Sequence, residues 1–158
     1  MGPTLDQPSA ANSFQEEYVR LAFASLERWS GRNLIKDLKL PLECLGESVY
    51  YGDFYLLTHN GAPDPVLNYG NRRALEQWEC TWSQLTSMYA RDTAKSDEQS
   101  ARQLVMSEVL QKGFLAGYNG ERISRTGKLF RIQDVIIWNI VGAQNQLIGQ
   151  AAFFFSVA

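Results

Sequence analysis

Lys128-Leu129-Phe130-Arg131-Ile132-Gln133-Asp134-Val135-Ile136-Ile137-Trp138-Asn139-Ile140-Val141 is followed by Gly142-Ala143-Gln144-Asn145 and then by Gln146 to Val157, which contains Ala151-Ala152-Phe153-Phe154-Phe155. β-Branched and aromatic residues dominate both runs, and turn residues separate them. A third run, Tyr118 to Arg125, precedes them across Thr126-Gly127. The spacing predicts a three-stranded antiparallel meander. A half-exposed strand alternates apolar and polar residues. Val135-Ile136-Ile137-Trp138 and Ala151 to Phe155 do not. Both faces of this sheet must therefore be shielded, by helices of the middle region on one side and by the N-terminal helix, a partner subunit or both on the other.

Working outward, Ser13 and Glu16 have the spacing of a capping box. Phe14, Tyr18, Leu21, Ala22, Ser25 and Trp29 then share one helical face, and Gly31 stands where a helix stops. An amphipathic helix is expected over 13–30, behind a loose lead-in at 1–12. Val49–His59 and 65–69 read as strands on either side of the turn Asn60 to Pro65. Asn71 caps a helix carrying Ala74, Leu75 and Trp78, and Thr81-Trp82-Ser83-Gln84 caps another that runs to about Tyr89. Ser100–Leu115 is expected as a helix with Leu104, Met106, Val109, Leu110 and Phe114 on its apolar face. The division expected is a disordered lead-in (1–12), an N-terminal helical extension (13–47) and one domain (48–158).

The chain has 158 residues, 45% hydrophobic and 20% charged, with net charge -2. That is the composition of one globular domain. No clustered Lys/Arg stripe suits nucleic acid, and no apolar run is long enough to span a membrane. A cytoplasmic location is expected, with no membrane partner. Cys44 and Cys80 lack metal-ligand spacing and are expected as free thiols. His59 is the one histidine and is expected at the surface or a strand end, so no catalytic residue and no metal site is assigned.

The segment Val66 to Trp78, the Thr81-Trp82-Ser83-Gln84-Leu85 helix start and the closing strands resemble a PAS domain. Tyr69-Gly70-Asn71-Arg72-Arg73-Ala74-Leu75 with Trp78, Gly120-Glu121-Arg122 with Gly127-Lys128-Leu129-Phe130, and Trp138-Asn139 before Gly149-Gln150-Ala151-Ala152 resemble more closely the MEKHLA domain family. That family is PAS-related. It occurs as stand-alone bacterial proteins and at the C-terminus of plant homeodomain–leucine-zipper factors. The resemblance implies an α+β fold, a regulatory role and no established catalytic residues. Its sheet would have five antiparallel strands in the order 2-1-5-4-3, flanked by short helices. Flavin-binding relatives carry Cys in an Asn-Cys-Arg-Phe-like motif. Here Cys80 lies in Trp78-Glu79-Cys80-Thr81, and Ser100–Leu115 has no His for haem, so no cofactor is expected.

A ligand pocket of such a fold would draw on Trp78, Trp82, Tyr89, Met106, Phe114, Phe130, Trp138 and Phe153, although the aromatics read first as plain core. Buried polar residues are sharper pointers. Gln150 is as well placed facing inward as outward, whereas Asn139 reads as the end of a buried strand. Arg122, Arg125, Lys128 and Arg131 form a basic cluster, either a solvated strand face or a clasp for a carboxylate or phosphate. Phe14, Tyr18, Leu21 and Trp29 are the expected homodimer surface. The function expected is a sensory module for an apolar small molecule or a separate output protein. The rival is a cone-shaped isomerase or ligand carrier, which needs an inward acid such as Asp53 beside Tyr55, or Asp134. Strand order separates the two.

Overall fold

A computed structural model describes residues 2–158. Its helices are α1 (Glu16–Ser30), α2 (Leu34–Asp37), α3 (Leu45–Tyr50), α4 (Arg72–Trp78), α5 (Trp82–Leu85) and α6 (Gln99–Lys112). Its strands are β1 (Tyr55–His59), β2 (Leu67–Gly70), β3 (Phe114–Ile123), β4 (Leu129–Val141), β5 (Leu147–Phe154) and β6 (Ser156–Val157). The sheet order is β2-β1-β5-β4-β3, antiparallel throughout, with the short β6 pairing onto β4. This is the expected PAS-like order, and it removes the cone-shaped alternative.

Both faces of the meander are covered, as the sequence requires. Ile136, Trp138, Phe153 and Phe154 are all buried. One face of β4 packs on α1: the Trp138 indole N–H donates to the Ala22 carbonyl at 2.8 Å, and its ring meets Phe23. Ser25 Oγ accepts from the Val141 amide at 3.0 Å. The 13–47 extension therefore shares the core of 48–158.

A local irregularity in β4 sets the phase of its side chains. Asp134 has φ +51, and the β3–β4 register slips beside it, between Tyr118 and Gly120. This bulge puts Ile132 and then Val135 and Ile137 on the face opposite α1.

Several boundaries differ from expectation. Ser13, Phe14 and Gln15 are all left-handed, so α1 begins at Glu16 and the Ser13 capping box does not form. The Glu16 carboxylate instead accepts from the Gly46 amide at 3.1 Å, which with the Arg20 guanidinium holds its pKa below the usual range. The lead-in is not loose over its described part. The Asn68 amide donates to the Pro3 carbonyl at 3.0 Å and the Trp82 indole to the Leu5 carbonyl at 3.0 Å. Val49 and Tyr50 belong to α3, so β1 starts only at Tyr55. The long helix ends at Lys112, which puts Phe114 on β3 and leaves Leu104 and Leu110 exposed.

Asn71 caps α4, its Oδ1 accepting from the Ala74 amide at 3.2 Å. The same oxygen takes the Leu56 amide, and its Nδ2 donates to the Val49 and Phe54 carbonyls. One buried side chain thus ties α3, β1 and α4 together.

Candidate functional site

Between the sheet face opposite α1 and the middle helices lies a small chamber of about 50 Å³. Leu57, Ile132, Val135 and Phe154 form its apolar walls, and Trp78 and Met106 close it from α4 and α6. A second hollow of about 210 Å³ lies between α6 and the loop Gly61 to Pro65. His59, Arg102, Met106 and Gln150 line both, so the two spaces adjoin.

A polar relay runs along one side. The Gly61 amide donates to His59 Nδ1 at 3.1 Å, which leaves the proton on Nε2 to donate to Gln150 Oε1 at 2.9 Å. Gln150 Nε2 donates to Asn139 Oδ1 at 3.0 Å and to the Met106 carbonyl at 3.2 Å. Asn139 Nδ2 donates to the Val109 and Leu110 carbonyls at 3.0 and 3.3 Å. Three side chains from three adjacent strands thereby hold the C-terminal half of α6, and of the carbonyls they engage Leu110's lies beyond the last helical bond, which is Gly113 to Val109. Burial and the positive charge of Arg102 push the His59 pKa down to about 4, so the imidazole is neutral.

Two arginines lie in the same wall. Arg122 is 5% exposed, donating to the Glu121 carbonyl at 2.8 Å and the Tyr118 hydroxyl at 3.3 Å. Gly120 makes this possible, because a Cβ there would collide with that hydroxyl. Arg102 is 8% exposed. Among the described residues its guanidinium has neither an ion pair nor a hydrogen-bond partner. Burial, reinforced by the like charge of Arg122, pulls its pKa down to about 10. The Trp78 indole N–H is buried and also without a partner.

The expected pocket residues divide. Trp78, Met106 and Gln150 meet at the chamber, and Phe130 stands edge-on behind Trp78 at 4.9 Å. Trp138 and Phe153 lie on the opposite sheet face, Trp138 against α1 and Phe153 against Phe54. Trp82 packs against Tyr69 under the lead-in, Phe114 is only partly buried on β3, and Tyr89 is exposed beneath Arg91. His59 closes β1, at a strand end as expected, but its side chain is buried in the relay, and Asn139 is buried within β4, whose buried run continues to Val141. Of the basic cluster only Arg122 turns inward, and Arg125, Lys128 and Arg131 are exposed. Cys80 is not among the chamber residues, and burial pushes its thiol pKa up.

Residues 16–158 match the model of the MEKHLA domain. The chain belongs to the MEKHLA domain family. No curated protein matches it. Among solved structures, this MEKHLA domain is similar to the PAS domain of a protein from Colwellia psychrerythraea. The TM-score is 0.58 and the identity 13%, covering 71% of this chain and 92% of that one. A light-oxygen-voltage domain studied with a flavin analogue gives TM-score 0.58 at 12% identity, covering 69% and 81%. The dark structure of the blue-light photoreceptor Aureochrome1 LOV gives 0.57 at 12%, covering 80% and 84%. The fold of the MEKHLA domain is thus that of PAS and LOV sensory domains. Among the described residues, no helix is long and apolar enough to cross a membrane, and no group of three His, Cys, Asp or Glu could hold a metal ion.

Proposed function

We propose that this MEKHLA domain is a regulatory sensor that takes a small molecule into the chamber between α6 and the sheet. One observation carries the reading: the chamber is lined by a buried donor that the protein leaves without a partner, the Trp78 N–H, and by Arg102, which is 8% exposed and has no ion pair among the described residues. Such groups are rare in a finished core, because an unsatisfied buried donor costs about 1–3 kcal/mol. Ligand entry would shift α6, which the His59–Gln150–Asn139 relay holds to the sheet, and so change the surface offered to a separate output protein. That shift is bounded by the ligand's differential affinity for the two states.

The chamber does not fit a flavin. Its volume is about 50 Å³, against the roughly 300 Å³ or more of a pocket for a drug-sized ligand, and Cys80 lies outside it. A catalytic role finds no support in the acids once considered: Asp53 is fully exposed beside Arg73, and Asp134 is exposed on its bulge. The two His59 nitrogens are both taken up in hydrogen bonds. A homodimer would have to use the solvent side of α1 or another surface, since Tyr18 is buried and donates to Thr58 Oγ1 within the subunit.

Native mass spectrometry of the purified protein tests the reading. A co-purified small molecule, lost on substitution of Arg102, is the expected result, and the same spectrum counts subunits. A protein free of any bound species, whose thermal stability no small molecule alters, would overturn it.

A further inference from the structure

The strongest acceptors of the chamber are taken: His59 Nδ1 by the Gly61 amide and Gln150 Oε1 by His59, while the Thr93 hydroxyl donates to the Ala90 carbonyl. What remains are donors, the Arg102 guanidinium and the Trp78 indole N–H. Both charges in the wall are positive, and no acidic side chain among the described residues forms an ion pair with Arg102 or Arg122. A buried guanidinium is normally paired, because removing a charge from water costs several kcal/mol that only a counter-charge offsets. Two neighbouring guanidiniums without a carboxylate make a cavity that is complete only when something negative enters it.

We propose that the ligand is a small organic carboxylate. Its carboxylate would be received by Arg102 with Arg122, and its hydrocarbon part would lie against Leu57, Ile132, Val135 and Phe154. This inference rests on the chamber being a ligand site and names its ligand class. A planar guanidinium fork matches a carboxylate bidentately. The walls favour an acid with an alkyl body over inorganic phosphate, whose oxygens would need more donors than the chamber offers. The hollow between α6 and the 61–65 loop adjoins the chamber and would be the way in, with Arg102 in the lining of both spaces.

The test is a thermal-shift and Trp-fluorescence titration of the whole protein with linear monocarboxylates from acetate to hexanoate. The matching primary amides, inorganic phosphate and sodium chloride at equal ionic strength serve as controls. At least one acid is expected to raise Tm and alter Trp emission while its amide does neither. Arg122→Gln should weaken that acid by about tenfold or more, the usual loss for a hydrogen bond to a charged group. Arg102→Met should abolish the response while raising Tm in the absence of acid, because it removes an unpaired buried charge. An arginine kept only for structure would lower Tm on the same change. Equal responses to acid and amide, a stronger response to phosphate, or a fall in Tm for Arg102→Met would overturn the proposal. If amides act as well as acids, a ligand chamber survives and only the ligand class is wrong. If neither acts and no molecule co-purifies, the chamber reading falls too.

Discussion

Asn139 on β4 and Gln150 on β5 are register partners, and Gln150 Nε2 donates to Asn139 Oδ1 at 3.0 Å on the sheet face that α6 covers. Each is 4% exposed. Between them they use every amide hydrogen and both oxygens, so that His59, two strands and three α6 carbonyls are joined with no orphan in the relay.

Asn139→Leu should therefore destabilise by about 1–3 kcal/mol. It leaves one Gln150 donor and the Leu110 carbonyl unpaired, and leaves the Val109 carbonyl with the Gly113 amide alone. Urea unfolding gives the magnitude. Hydrogen exchange should locate the loosening in residues 106–113, with α1 unchanged.

The neutral His59 predicts acid sensitivity. Its folded pKa of about 4 lies below its ordinary value of 6.5. The unfolded chain then binds the proton more readily, and stability falls as pH drops from 6.5 toward 4. Protonation would also set an Nδ1–H against the Gly61 amide and a second positive charge beside Arg102. The loss over this window is on the order of 3 kcal/mol. His59→Gln should flatten it, read as denaturation midpoints at pH 7, 5.5 and 4.

Gly113 follows α6 with φ +97, and a Cβ there would run into the Trp29 ring. Gly113→Ala should cost more than about 1 kcal/mol, because strain and collision add. Trp29, whose indole N–H donates to the Asn139 carbonyl at 2.9 Å, should change its fluorescence. Trp29→Phe in the same background should recover part of the loss.

Deleting residues 2–8 should lower Tm. It removes the Leu5 and Pro3 carbonyls that accept from the Trp82 indole and the Asn68 amide. About 1–3 kcal/mol is expected for the groups left unpaired. Calorimetry of the truncated chain, with Trp82→Phe in the full chain for comparison, measures it.

Much of this fold was legible because strong local signals agreed with tertiary demand. Asn71 and Thr81 cap the helices they precede, and the unalternating β4 and β5 called for cover on two sides. The site was legible only in part. Trp78, Met106 and Gln150 were readable from size and polarity. Trp138 and Phe153, pocket candidates by size, lie on the α1 side, because an apolar strand carries no alternation from which to read direction and the Asp134 bulge shifts its phase. Arg102 escaped notice since charge reads as surface. Yet Arg102, Met106 and Val109 fall at i, i+4 and i+7, the spacing of a buried stripe, whereas Leu104 and Leu110 fall off it. The left-handed turn Ser13–Gln15 had no signal, as its residue types suit a helix start equally well.

The placement of Trp138 and Asn139 has a mechanical consequence. One grips α1 through Ala22, and its neighbour grips α6 through Val109. Helices on opposite sides of the sheet are thus bolted to a single peptide link. A displacement of one by a fraction of an ångström is passed to the other without any domain swinging, and this makes the strand an axle between the chamber side of the sheet and its far surface.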